Sequence, residues 1–390
     1  MKKFLTYALV FATALGFAAC SDDENDDFDY AANLDYTAEY SQQWGNYMVT
    51  VSNLLKEDAT NLYNYWLNVD NDEYPTSYAN IFKSHNNEYY GSALECVEEI
   101  LDGCTDIASE VGASKIGEPY NLYVAGKRTE ALYAVESWYS WHSRDDYTNN
   151  IVSIRNSYLG TTEGTADKYN LFATPAHANS LSALVAAKNP ELDARAKELI
   201  QAAATAIQNI VQPFRNNINS EEAKVAMDAC AALEDFIQDD LKAFFSGSGY
   251  TDAELDPAIT QYVDGVVLPT YKALMEKNIA LDNAVRAFKA APSNAAFAAC
   301  ANAWLEAREP WESSEAFLFG PVDAKGLDPN MDSWPLDQVG IVNILKSQAF
   351  DNLNWDESES EEAIEDAQAL RGFHTLEYFI FKDGKARTIN

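Results

Sequence analysis

His374 and Glu377 stand three residues apart in a segment that reads as helix. That spacing sets imidazole and carboxylate side by side on one helical face. Both groups are metal ligands, and the carboxylate can instead fix the imidazole's tautomer by accepting one of its N–H groups. The chain has four histidines, so one beside a Glu in an otherwise apolar helix stands out. Two ligands do not make a tight site, so further donors must come from elsewhere in the fold. The competing reading is a core histidine paired to a neighbouring acid.

Glu136, Ser137, Ser140, Ser143 and Arg144 have spacings that put them on one helical stripe, flanked by Trp138, Tyr139 and Trp141. Polar groups among large aromatics are costly unless hydrogen-bonded, so the stripe reads as one wall of a polar pocket or as a solvent-facing edge. A third cluster runs from Ala307 to Pro321. There Arg308 and Glu315, seven apart, suit a buried ion pair. A fourth is Asp332-Ser333-Trp334-Pro335-Leu336-Asp337, with Pro335 starting a helix and Asp337 in its first turn. HExxH, GxSxG, Walker and dinucleotide-binding patterns are absent, which disfavours a zincin-type peptidase.

The elements that must position these residues read as helices. Apolar residues from Trp44 to Tyr65 recur at three and four, marking one long amphipathic helix. Further helices are expected from about His85 to Val111, from Pro119 through Trp141, over Asn149–Leu159, Glu191–Val211 and Glu221–Phe245. Another starts at Asp256-Pro257, one is capped by Ser293, and the last runs from Glu361 to about Lys382. Ser246-Gly247-Ser248-Gly249 is the strongest internal break. No strand is convincing. The fold class is all-α, as packed helical bundles.

Residues 1–19 read as a lipoprotein signal peptide. Lys2 and Lys3 precede an apolar stretch from Phe4 to Phe17, and Phe17-Ala18-Ala19-Cys20 resembles a lipobox with Cys20 as the lipidated residue. Residues 20–35 then form an acidic tether, with six acids between Ser21 and Asp29. The address expected is the outer membrane, on its periplasmic or its outer face. Lys and Arg number 27 against 61 Asp and Glu, a net charge of −34. Nucleic acid is therefore not an expected partner. Cys96, Cys104, Cys230 and Cys300 allow three pairings, and sequence does not choose among them.

Taken together, the clusters resemble the imelysin-like family. Its GxHxxE hallmark is matched by Gly372, His374 and Glu377. AREPWESSEAFLFGP, DSWPLD, Glu110-Val111-Gly112, Lys115-Ile116, Pro119, Glu136-Ser137, Asn149-Asn150-Ile151 and Pro213-Phe214 also look like the family pattern. In most members GxHxxE lies in the first half of the chain, whereas here it is near the end, which looks like a circular permutation.

The resemblance implies two similar four-helix-bundle-like domains, one made of residues 36–68 plus 251–390 and the other of residues 75–245. Permutation further implies that Asp35 and Arg387 lie close in space. The implied function is iron-linked uptake in the envelope, by a binding protein rather than an enzyme. The bound species is a metal ion or small ligand, iron before zinc, and an outer-membrane transporter or receptor is the partner. Implied binding residues are His374, Glu377, Glu315, Glu136, Ser137 and Ser140, supported by Arg308, Trp334, Asp337, Gly372 and Ser143. Alternatives are a metallopeptidase with Glu377 as base, and a binder of carbohydrate or another organic ligand.

Overall fold

The computed structural model describes residues 28–68, 74–355 and 358–389. The expected signal peptide, Cys20 and most of the acidic run lie outside the described residues. The chain is all-α. Its strands among the described residues are Phe381–Lys382 and Lys385–Ala386, a two-stranded antiparallel hairpin. No helix among the described residues is long and apolar enough to cross a membrane.

One group of helices is built on Ser41–Leu67, which packs along Leu268–Ala290, and that helix packs on Asn294–Glu312. The motif helix, Gly372–Ile380, lies against Ser41–Leu67 and Asn294–Glu312. Three side-chain N–H or O–H groups tie it and its lead-in down. Trp44 Nε1–H donates to the Phe379 carbonyl (3.2 Å), Trp304 Nε1–H to that of Phe373 (2.9 Å), and Tyr47 O–H to that of Leu370 (2.8 Å). Large aromatics thus bury their rings and still satisfy their polar atoms.

The second group is a ring of four helices, Ala93–Ser109, Ser143–Leu159, Pro190–Gln208 and Glu221–Asp235, each packed on two others. Ser143–Leu159 is buried nearly all round. A helix with no exposed face must satisfy its own polar side chains. Thr148 does so by donating to the Arg144 carbonyl and Ser157 to that of Ser153. The groups meet where Ser143–Leu159 packs on Asn294–Glu312, and where Ala93–Ser109 and Ser143–Leu159 meet the 3-10 turn Glu315–Phe317. Gly103 permits that approach, because an added Cβ would overlap the Ala316 carbonyl. Asp252–Tyr262 also packs on Ala93–Ser109, and Tyr78–Ser84 on Ser41–Leu67, so the two groups interlock at this edge.

Several expected boundaries shift. His85 lies outside any helix and pairs with Asp256, and the helix after it begins at Ala93 with Ser92 as cap. The helix expected at Asp256 starts earlier, at Asp252, through a Thr251–Glu254 capping box, and carries Pro257 inside it. Gly372 has φ +86° and splits the last expected helix into Glu361–Gln368 and Gly372–Ile380. Residues 28–32 are helical, and Ala31, Leu34 and Tyr36 are buried, so the expected tether does not reach residue 35. Asp35 and Arg387 do lie together, with Arg387 Nη1 3.1 Å from Asp35 Oδ1.

Candidate functional site

Gly372 begins the motif helix and faces the Met331 carbonyl so closely that a Cβ would overlap it. His374 and Glu377 follow, both fully buried. His374 Nδ1 lies 3.0 Å from Glu377 Oε2. The other oxygen of Glu377 accepts the backbone N–H groups of Tyr139 (2.9 Å) and Ser140 (2.7 Å). Three of the roughly four acceptor positions of Glu377 are thus taken by the chain's own donors. Glu377 orients the imidazole and ties the motif helix to residues 139–140. The two motif side chains are not two ligands of one ion, because Glu377 occupies the Nδ1 side and the remaining donors face Nε2.

On the Nε2 side lie Asp332 Oδ1 (3.1 Å) and Glu136 Oε1 (3.3 Å). With carboxylates at both nitrogens the ring is an imidazolium donating twice. Burial and Arg308 oppose that charge, but Asp332 and Glu136 outweigh them and hold the His374 pKa well above its ordinary value. The Trp334 ring closes over the imidazole edge-on at 4.8 Å, its Nε1–H donating to the Ala134 carbonyl (3.2 Å).

Arg308 is the centre of the cluster. Nη2 donates to Glu136 Oε1 (2.7 Å), Nη1 to Asp332 Oδ1, and Nε lies 3.5 Å from Asp146 Oδ2. Glu312 Oε1 is 2.5 Å from Nη2 but off the N–H direction, so that contact is a close approach rather than a directed hydrogen bond. The expected Arg308–Glu315 pair does not form. The helix carrying Arg308 ends at Glu312, and Glu315 starts a 3-10 turn that swings it to Lys115, at 3.6 Å. Lys115 also meets Glu136 (3.1 Å) and Glu110 (3.7 Å). A π-helical turn, Glu110–Ile116, delivers both Glu110 and Lys115.

These charges sort by protonation. Burial raises the carboxyl pKa of Glu136 and Asp332, but Lys115 and His374 for the first, and Arg308 and His374 for the second, more than reverse it. Both stay ionised. Glu312 is pushed up to about 8 and Asp328 to about 7, chiefly by burial, and Glu315 also rises. The cluster thus keeps ionised carboxylates against its three cations and protonates others.

The stretch from Glu136 to Ser143 is not a helical stripe. Helix Arg128–Tyr133 stops, and the chain turns through Ser137 (φ +54°) and Trp141 (φ +60°) before Ser143 starts the next helix. Glu136 reaches the centre, but the serine hydroxyls do not. Ser137 donates to Asp146, Ser140 to the Ser137 carbonyl, and Ser143 to the Glu136 carbonyl. They hold the turn rather than face a ligand. Asp337 is not part of the site either. It is exposed and caps helix Gln338–Ser347 by accepting the Gly340 N–H (2.8 Å).

Sequence reasoning assigned no role to Asp332, Glu312, Lys115 or Asp146. The first three lie in stretches that resemble the family, which was the available signal. Glu136, Asp332 and His374 bring one ligand atom each within 4.8 Å of one another, and so do Glu312, Glu315 and Asp332.

The imelysin family's sequence pattern matches residues 11–239 and 267–390. The chain belongs to the imelysin family. It is 57% identical to an imelysin peptidase from Bacteroides ovatus of known crystal structure, with a TM-score of 0.88 over 92% of this chain and 100% of that one. It is 36% identical over 138 residues to iron-regulated protein A of Synechococcus elongatus (strain ATCC 33912 / PCC 7942 / FACHB-805). That match spans 35% of each chain. In this imelysin fold, GxHxxE supplies an oriented imidazolium, and the surrounding elements supply the carboxylates.

Proposed function

We propose that this chain is an envelope protein that binds iron, as the ion or within a small complex, at the cluster between its two helical groups. The observation that carries the reading is the convergence of Glu136, Asp332 and His374 from three separate stretches. Carboxylate oxygens with one imidazole suit a first-row divalent ion, and Asp332, shared with Glu312 and Glu315, adds acidity beside it. Binding at Nε2 requires His374 to give up that proton. The name of the Synechococcus relative, an iron-regulated protein, is in keeping with this reading.

The test is titration of chelator-stripped protein with ferrous iron and with zinc by calorimetry. Iron binding is expected, and Asp332→Asn or His374→Ala should weaken it at least ten-fold. No binding heat and an unchanged melting temperature with either metal would overturn the reading. Lipidation at Cys20, an outer-membrane address and delivery to a transporter or receptor complete the proposal. Labelled fatty acid incorporated by the wild type and not by Cys20→Ser checks the anchor.

Peptidase activity is the second reading, favoured by the name of the Bacteroides relative. Against it, Glu377 is fully buried and accepts from His374 and from two backbone N–H groups, an arrangement that orients the imidazole rather than a water. The expectation is no chelator-sensitive proteolysis by the purified protein.

A further inference from the structure

The carboxylates that would hold an ion already hold a cation of the chain's own. Arg308 is fully buried, and its guanidinium touches Glu136 Oε1 and Asp332 Oδ1. Those same two atoms face His374 Nε2 at 3.3 and 3.1 Å. Arg308 Nη2 stands 3.4 Å from that nitrogen. A metal bonded to Nε2 at about 2.1 Å, and to those two oxygens, would fall within the guanidinium's contact distance. Two cations also repel strongly at such a separation in a buried site.

We infer that Arg308 is an exchangeable stand-in for the ion, and that a cation enters by displacing its guanidinium from Glu136 and Asp332. The inference rests on the cation-site reading above and deepens it. Arg308 need not leave the site. It keeps Glu312 Oε1 at 2.5 Å and Asp146 Oδ2 at 3.5 Å. Its guanidinium also lies 5.4 Å from the Phe373 ring and 6.0 Å from that of Trp304, both cation–π distances. Turning toward Glu312 would give its Oε1 the directed hydrogen bond that atom lacks, while Oε2 keeps the Asn150 amide. Each ion taken up therefore costs the arginine two of its four carboxylate contacts. The site is tuned for exchange rather than for permanent retention.

The test compares wild type with Arg308→Ala, both stripped of metal, titrated anaerobically with ferrous iron with and without methylguanidinium. The alanine variant should bind ferrous iron at least ten-fold more tightly than wild type. Methylguanidinium should raise the variant's melting temperature, leave that of wild type unchanged, and shift the variant's iron isotherm competitively. If wild type binds iron and the variant binds it equally or more weakly, or methylguanidinium does not compete, the exchange idea fails and the cation site stands. If neither protein binds iron while methylguanidinium still stabilises the variant, the cation site itself fails, and the exchange with it. Should the alanine variant not fold, Arg308→Lys decides. It keeps a charge, loses the planar fork, and should bind ferrous iron more tightly than wild type; weaker binding overturns the inference.

Discussion

At residue scale, Glu377 carries the most consequence for its size. It accepts from His374 on one oxygen and from two backbone N–H groups on the other. Glu377→Gln keeps the shape but has one acceptor oxygen for all three donors, and its NH2 group must face a donor. The expected cost is about 1–3 kcal/mol of unfolding free energy, read from urea melts. Gly372→Ala should cost a similar or larger amount, because a Cβ overlaps the Met331 carbonyl and φ is +86°. A stability change within experimental error would count against this account of the glycine. His374 and Glu377 were legible in the sequence because three-residue spacing on a helix is a local rule. Of the groups around them, Glu136 stood out in its polar stripe, but others did not. Asp332, Lys115 and Glu312 come from stretches far apart in the chain, and no spacing rule connects them. Asp337 misled for the converse reason: an acid near a helix start is usually a cap, and it is one here.

At the scale of elements, the site depends on close approach of backbones. Gly103 lets Ala93–Ser109 touch the turn that carries Glu315, and Ser153 Oγ accepts the Ala316 N–H (3.0 Å) from the other side. Gly103→Ala should push that turn away, with a cost of about 1–3 kcal/mol. Because Glu315 moves with it and away from Lys115, the variant should also bind ferrous iron more weakly. A loss of stability with unchanged affinity would show that the turn does not position the site. The long helices were readable from apolar periodicity, as from Trp44 to Tyr65. The segment from Ala134 to His142 was not. Its aromatics and serines mimic a helical stripe, whereas Glu377 draws the N–H groups of Tyr139 and Ser140 out of any helix. Tertiary acceptors override local propensity there.

For the whole molecule, the ionisation balance sets a pH dependence. Glu99 is raised to about 7, Asp58 to about 6, Asp328 to about 7 and Glu312 to about 8, in each case chiefly by burial. His142, which burial alone would lower, is raised to about 8 by Asp146. Each of these groups binds its proton more tightly folded than unfolded. Their contribution is complete below the unfolded values and is lost as pH rises toward 8. Asp332 and Asp146 are lowered and contribute the opposite way, losing stability only as pH falls below about 4. The melting temperature should therefore peak near about pH 5 and fall by several degrees toward pH 8.5. A rise over that interval would contradict the assignment. We also propose that the chain order is circularly permuted relative to most of the family, in keeping with the Asp35–Arg387 contact. A variant opened at Ser248-Gly249, with residues 35 and 387 joined by a short linker, should fold with near-native stability. An unfolded product would count against it.

Cys96, Cys104, Cys230 and Cys300 are all free and buried, and burial pushes each thiol up to about 12. Folded, they are chemically silent. Once the chain opens, four thiols with ordinary reactivity meet any oxidant present, and random bridges form that the native packing has no room for. Refolding is then a race between burial and air oxidation. Heated in aerated buffer, the protein should lose most of its transition on a second scan; with a phosphine reductant present, the second scan should overlay the first.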